Sequence, residues 1–360
     1  MIISLLVYAG QATPYNLKRR ILFDDYSAAI VRAIMGNGII LGRFMPPHEG
    51  HVALVRTATH LVDRLTIVLA CAKSDPIPAG IRQGWMESLF PKARVVLHCT
   101  EEPLPTDSPA WAGIIRHLHP EPIHRVVGSE DYLVPLAKAL SAQHFILDPM
   151  WMAFPANSAD IRKNPFANWY SIPSYARPWF QKRLTLVGPE STGKSYMADL
   201  LAQKFGGPYV PEYGRPYEHY RESGDYRPEE LHYIVDGHVA HRKTLSMKAG
   251  PVLFEDTDPL LTAVWAEMLL GKSLPSLEAR IELPEHYLLL DANTPWAEDP
   301  LRYYAKQDMR EQFFAKIEAK LKAHGATYTL IHGRFQEREA QAIAVVEDML
   351  KTPKGHRNAP

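Results

Sequence analysis

The sequence predicts two successive α/β domains, each built on a parallel sheet, and three observations carry the prediction. From Gly38 onward, short apolar runs alternate with segments of helical periodicity, the pattern of strands joined by helical crossovers. A second series begins with the apolar run Leu184–Val187 and leads at once into Gly188-Pro189-Glu190-Ser191-Thr192-Gly193-Lys194-Ser195, which satisfies G-x-x-x-x-G-K-[ST]. Domains carrying that loop usually open with the strand before it, so the residues ahead must form a different unit. A chain of 360 residues is long enough for two proper cores.

Composition narrows the partners. Forty basic residues balance forty acidic ones, so no global field draws the chain to nucleic acid or an anionic membrane, whereas small phosphorylated ligands need only local charge. No apolar run approaches the ~18 residues that span a bilayer. The apolar start, Met1–Tyr8, precedes its positive charges Lys18, Arg19 and Arg20, the reverse of a secretory signal. Cys71 and Cys99 form no metal-ligand spacing, and a reducing cytoplasm is the simple expectation.

Residues 1–36 are left as an unassigned extension, without the two-helix pattern of a DNA-binding helix-turn-helix. The first domain, 37–170, is expected to run strand Ile39–Leu41, helix Gly50–Val62, strand Leu65–Ala70, helix Arg82–Phe90, strand Arg94–His98 and helix Trp111–Leu118. Strand Arg125–Val127, helix Tyr132–Leu140 and strand Phe145–Leu147 complete a doubly wound sheet, whose ligands would sit at the carboxyl ends of the strands. No G-x-G-x-x-G follows the first strand. In its place stands Gly42-Arg43-Phe44-Met45-Pro46-Pro47-His48-Glu49-Gly50-His51. Two histidines entering a helix beside a glycine can point hydrogen-bond donors at a phosphate, which suits charge stabilisation at a phosphorus centre. An H-x-x-H pair alone also fits a helix cap or a metal pair.

Gly42–His51 resembles the G-x-F-x-P-x-H-x-G-H signature of the nucleotidyltransferase superfamily. With the phosphate loop downstream, residues from about Gly38 to Leu350 resemble the bacterial NadR-type enzymes, in which nicotinamide-nucleotide adenylyltransferase is fused to ribosylnicotinamide kinase. Pro76–Arg82, Val127–Tyr132 and Ala156–Pro165 match in order as well as in type. The resemblance implies a Rossmann-like nucleotidyltransferase domain followed by a P-loop kinase domain. It implies that His48 and His51 stabilise the transition state at the ATP α-phosphorus, with Gly42, Arg43, Phe44, Gly50 and Ser158 around the nucleotide. Arg162 would bind the β- and γ-phosphates, with Lys163 as a weaker candidate. Trp111 would stack on the nicotinamide ring, and a core tryptophan is the competing reading. Asn157 and Ala159 stand where family members commonly carry hydroxyls, and no arginine follows Asp148.

Residues 171–182 read as a linker whose aromatics suggest a packed connection, and 183–352 as the second domain. In the loop, Gly188, Glu190, Ser191, Thr192 and Gly193 would wrap phosphate oxygens with backbone N–H groups, Lys194 would reach the β- and γ-phosphates, and Ser195 would hold Mg²⁺. A strand is expected over Tyr209–Tyr213, ending in a stretch that resembles the family's E-Y-x-R element. The resemblance assigns Glu212, Tyr213 and Arg215 to the ribosyl substrate; a surface ion pair is the plainer reading of Glu212 and Arg215. Val252–Asp258 is an apolar strand delivering carboxylates, so Asp256 is the choice for metal or general-base work, with Asp258 second at the substrate. Further strands are expected at Tyr287–Asp291 and Thr327–Ile331. The segment between them resembles the family's lid, with Arg302 neutralising charge, and Gly333-Arg334 would flank the adenine. Residues 353–360 form a polar tail.

The resemblance therefore implies ATP, nicotinamide riboside, nicotinamide mononucleotide and NAD as ligands and Mg²⁺ as cofactor, with no nucleic acid or membrane partner and homo-oligomerisation left open. The competing readings are a different adenylyltransferase fused to another nucleoside kinase, and a nucleotide-sensing regulator. The absence of a DNA-reading helix or basic patch counts against the regulator.

Overall fold

The computed structural model describes residues 35–100, 107–150, 152–221, 224–293 and 306–352. By compactness the chain divides between Ser158 and Ala159 into two units.

The first unit holds strands β1 (Asn37–Gly42), β2 (Arg64–Ala72), β3 (Arg94–Thr100), β4 (Arg125–Gly128) and β5 (Gln143–Ile146). Helices α1 (Glu49–Leu61), α2 (Ala79–Leu89), α3 (Ser108–Leu118) and α4 (Leu133–Leu140) connect them. The sheet order is β3-β2-β1-β4-β5, and every pair is parallel. The chain starts in the middle, winds outward to β3 and then returns to the other side of β1, so the winding reverses between β1 and β4. Successive strand residues face opposite sides. Ile40 packs with Val55, Leu69 and Met86 on one face, while Ile39 packs with Val68, Ile115 and Leu136 on the other. Both faces are therefore covered, and each such buried side chain contributes about 1.5–3 kcal/mol of transfer free energy. Register places Cys71 directly beside Cys99, and the two form a disulfide with 4.5 Å between their Cα atoms. That pairing removes the ground for reading a reducing compartment from unpaired cysteines.

The second unit takes up the chain within α5 (Ser158–Lys163), continues through a 3₁₀ turn (Trp169–Ser171) and α6 (Arg177–Phe180), and enters β6 (Lys182–Val187). Its other strands are β7 (Val252–Asp256), β8 (His286–Leu290) and β9 (Tyr328–Ile331). The order is β7-β6-β8-β9, again all parallel. Helices α7 (Lys194–Phe205), α8 (Gly214–Tyr220), α9 (Pro228–Ser246), α10 (Pro259–Leu270), α11 (Pro275–Glu278), α12 (Gln307–Ala323) and α13 (Phe335–Lys351) complete it. Leu184, Leu186, Phe254 and Leu288 pack against α7 and α13 through Ala198, Leu201 and Val346. Val187, Tyr287 and Leu289 face Leu261, Phe313 and Ile317 of α10 and α12.

One expectation changes. The strand expected at Tyr209–Tyr213 is a single bridge: Val210 donates to the Phe254 carbonyl, and its own carbonyl accepts from the Asp256 N–H. Pro211 follows and has no N–H with which to extend the ladder. The stretch before β6 belongs to the second unit's packing: Trp169, Ile172, Ala176 and Phe180 are buried, and the Gln181 amide donates to the carbonyls of Ser246 and Gly250.

Candidate functional site

In the first unit, β1 delivers the chain to the carboxyl edge of the sheet beside β4, where a doubly wound fold binds ligands. Phe44 is buried with φ 49°, a left-handed conformation that turns the chain back toward α1. Gly42 is needed here because a Cβ would meet the Phe44 ring at 3.0 Å. His48 is the N-cap of α1 and is 2% exposed. Its backbone N–H donates to Nδ1 of His51 at 3.3 Å, which fixes the His51 ring; the two imidazole centroids lie 3.8 Å apart, and Phe44 meets His51 edge-on at 4.9 Å. A Cβ on Gly50 would come within 3.0 Å of the His48 ring and 3.2 Å of Phe154, so that position tolerates only glycine without a shift. Burial lowers the His48 pKa to about 4. His51 is pushed well below its ordinary value by burial first and by the neighbouring His48 second. Both rings are therefore neutral near pH 7, and His48 Nδ1 is buried with no hydrogen-bond partner.

The surrounding residues hold this loop. Arg82 is fully buried and donates to the carbonyls of Arg43 and Ala70 and to Asp75, which also pairs with the Arg43 guanidinium. Ser158 donates its hydroxyl to the Pro46 carbonyl at 2.8 Å, so it ties down the histidine loop where a phosphate contact was expected. Asp148, at φ 47°, accepts from the backbone N–H groups of Met152, Ala153 and Phe154. Trp111 is 9% exposed, packed into the core with its edge on His98, which favours the core reading over the stacking one. Arg162 and Lys163 end α5, in the second unit.

In the second unit, β6 ends at Val187 and the phosphate loop follows. Gly188, at φ 154°, passes so close to β8 that a Cβ would meet the Leu290 carbonyl at 2.8 Å. Ser191 at φ 60° and Gly193 at φ 87° turn successive N–H groups toward one side before α7 begins at Lys194, an arrangement that binds anions. Lys194 Nζ donates to the carbonyls of Gly188 and Pro189 at 3.1 and 3.0 Å. Thr192 is fully buried; its hydroxyl donates to the Pro189 carbonyl, and its own carbonyl accepts from Arg338 of α13. It braces the loop.

A cavity of about 290 Å³ opens from that loop, with Glu190–Tyr196, Glu212 and Arg215 in its wall. Glu212 lies 3.9 Å from Arg215, and its carboxyl is pushed up by burial first and then by the charge of Asp256, against Lys194 and Arg215. Asp256 is 2% exposed, and its Oδ1 is buried without a hydrogen-bond partner. Two carboxylates and two cations thus converge beside the phosphate loop. The opposite wall is apolar and includes Leu261, Trp265 and Leu269 from α10, with Ile234 from α9 and Tyr226. The residues on that wall were missed in the sequence, because an apolar helix such as Pro259–Leu270 reads as core.

Three assignments change or fall elsewhere. Asp258 accepts from the Leu261 N–H as the N-cap of α10 and from the Tyr287 hydroxyl at 2.6 Å, so both its oxygens serve the fold. Tyr213 does not line the cavity; its ring lies over Gly237, where a Cβ would meet it at 2.2 Å, and beside His241. Arg302 lies outside the described residues. Behind the site, Glu255 is fully buried and bonds Arg183 at 2.6 Å and His238 at 3.0 Å. Burial alone would raise its carboxyl, but Arg183, His238 and Arg242 hold it below the ordinary range and lock β7 to β6.

Residues 183–338 match the AAA domain family. The chain is similar to the trifunctional NAD biosynthesis/regulator protein NadR of Escherichia coli (strain K12), 26% identical over 345 residues, which covers 87% of this chain and 83% of that protein. NadR of Salmonella typhimurium is 26% identical over 375 residues, covering 97% and 92%. A nicotinamide-nucleotide adenylyltransferase from Caldivirga maquilingensis is 27% identical over 143 residues, 36% of this chain and 68% of that one. A crystal structure of NadR in complex with NR superposes with a TM-score of 0.70 at 21% identity, covering 87% of this chain and 95% of that chain. A crystal structure of NadR with NAD and AMP-PNP gives 0.70 at 19% identity. The resemblance read from the motifs is thereby borne out, and so is the expectation of two parallel-sheet α/β folds.

Proposed function

We propose that this chain is a bifunctional enzyme of NAD biosynthesis. Its second unit phosphorylates nicotinamide riboside with ATP, and its first unit transfers the adenylyl group of ATP to the resulting mononucleotide, releasing pyrophosphate. The observation that carries the reading is the cavity of the second unit, which joins an anion-binding loop, the Glu212–Arg215 ion pair and aromatic and apolar side chains in one space. A nucleoside presents a hydroxyl at one end and a planar ring at the other, and this space matches both.

The chemistry asked of the residues is positioning and charge neutralisation. Lys194 exchanges the Gly188 and Pro189 carbonyls for phosphate oxygens, and Arg215 and Glu212 hold the ribosyl group. Asp256 accepts the proton of the attacking hydroxyl or shares the metal. Ser195 and Asp256 fit Mg²⁺, since Asp256 Oδ1 is buried without a partner. No cluster of three or more potential metal ligands exists among the described residues, which suits an ion completed by substrate phosphates and water. Bound there, Mg²⁺ would neutralise charge on the transferring phosphates. In the first unit, His48 and His51 donate to the phosphates around the α-phosphorus, while Gly50 leaves room for the His48 ring beside Phe154.

The reading is tested by incubating the full chain with nicotinamide riboside and Mg-ATP and resolving the products. Mononucleotide, NAD, ADP and pyrophosphate are expected. ADP release that does not depend on the riboside, or mononucleotide that never proceeds to NAD, would refute it.

A further inference from the structure

Two large aromatic side chains stand exposed beside the phosphate loop, and the proposed reaction does not use them. Tyr196 lies two residues after Lys194 in the first turn of α7 and lines the same cavity. It is 47% exposed, and its hydroxyl donates to Glu339 of α13 at 2.8 Å. Phe335, the first residue of α13, is 57% exposed and lies with its ring centroid 4.8 Å from that of Tyr196 at an interplanar angle of 47°. The hydroxyl bond orients the Tyr196 ring, and the Phe335 ring lies against it, so the pair forms an aromatic ledge with exposed surface.

We propose that Tyr196 and Phe335 form the stacking platform for the base of the kinase's phosphoryl donor, holding that base by its face and not by its edge. The proposal rests on the kinase reading above. A nucleoside triphosphate anchored by its phosphates at Gly188–Ser195 has its base at the far end of a short tether, and the ledge begins one residue beyond the loop. Two side chains nearby that could read the base's edge are engaged within the loop before α13. The Gln341 side chain takes both the N–H and the carbonyl of His332, and Glu337 accepts from the Arg334 N–H. Every base has a π-face, so stacking without edge contacts is tolerant of base identity. The kinase should therefore accept ATP and GTP with similar KM values.

The test is steady-state riboside phosphorylation by the full chain. Phe335→Ala and Tyr196→Ala are expected to raise KM for ATP and for GTP alike, on the order of tenfold, as loss of base–aromatic stacking does. In Phe335→Ala, whose side chain does not line the riboside cavity, the KM for the riboside should stay put. Inorganic tripolyphosphate, which has no base, should inhibit wild type and variants equally. Tyr196→Phe, which keeps the ring, should stay close to wild type. An unchanged KM for ATP in both alanine variants would overturn the platform, and so would a wild-type preference for ATP over GTP of about a hundredfold or more, since stacking cannot supply it. Weakened tripolyphosphate inhibition in both alanine variants would show a damaged loop and also overturn it. A wild-type chain that phosphorylates the riboside from no donor would instead remove the kinase reading, and the proposal with it.

Discussion

Acid should destabilise the N-terminal unit through His48, by an amount that follows from its burial. The ring is 2% exposed and packed between His51 and Gly50, with a pKa of about 4 against 6.5 for an unperturbed histidine. The unfolded chain takes up a proton between pH 6.5 and 4 that the folded chain refuses. Stability from this group is therefore complete above pH 6.5 and is lost as the pH falls through that window. At ~1.4 kcal/mol per pKa unit the loss is about 2 kcal/mol at pH 5 and about 3 kcal/mol once the pH passes below 4. His51 is lowered for the same reason and adds a loss of the same sign. The measurement is urea-dependent proteolysis of the full chain at pH 7.5 and 5.0, with the released fragments identified so that the two units are followed separately. His48→Gln removes the titration and should cut the pH-dependent loss in the first unit by about 2 kcal/mol, leaving the second unit's transition unmoved. Equal pH dependence in wild type and variant would refute the reasoning, because the lowered pKa could not then be part of the folding free energy.

The other predictions concern the second unit. Lys194→Ala should lower riboside phosphorylation on the order of a hundredfold or more while adenylylation of the mononucleotide stays near normal, and equal loss of both activities would sink the two-site reading. Asp258→Ala should cost about 2–4 kcal/mol of stability, because it removes the cap of α10 and leaves the buried Tyr287 hydroxyl unpaired. Kinase turnover per folded molecule should stay within a few-fold in that variant, as measured by activity against the folded fraction from circular dichroism. A loss as large as that of Lys194→Ala would return Asp258 to the reaction.

Both sheets were legible because their strands are continuous apolar runs punctuated by glycine, and a parallel strand buried on both faces has that composition. The two phosphate-facing loops were legible because each needs glycine at fixed places: Gly188 against Leu290, Gly50 against His48. What the sequence hid was the use of each polar side chain. Asp256 and Asp258 both follow an apolar strand, and only the geometry shows the second spent on a helix cap and a tyrosine. Ser158 and Thr192 carry hydroxyls in phosphate motifs, yet both donate to proline carbonyls, Ser158 to Pro46 in the histidine loop and Thr192 to Pro189 in its own. Trp265 lines the cavity, while Trp111, the tryptophan singled out for stacking, is core. An indole in an apolar helix gives no local sign of which side it takes. The strand at Tyr209–Tyr213 failed for a reason that was visible, since Pro211 cannot donate to a ladder.

Under the proposed function the two halves supply positive charge to phosphate in different ways. The kinase half holds a permanent cation. Lys194 rests on two carbonyls of its own loop, and an arriving phosphate only has to replace them as acceptors. The adenylyltransferase half holds two neutral imidazoles whose centroids are 3.8 Å apart. Burial keeps each neutral in the free protein, and charging both would add a repulsion of about 4 kcal/mol at an effective dielectric of 20. A bound polyphosphate reverses the balance, because the burial that disfavours a lone imidazolium strengthens its attraction to an adjacent anion. Charge in that site therefore arrives with the ligand, as a proton taken from solvent. Ser158 is tied to Pro46, and Asn157 and Ala159 stand where hydroxyls are common in the family it resembles. With the Ser158 hydroxyl engaged by Pro46, the anion's binding falls on that captured proton and on the N–H groups at the start of α1.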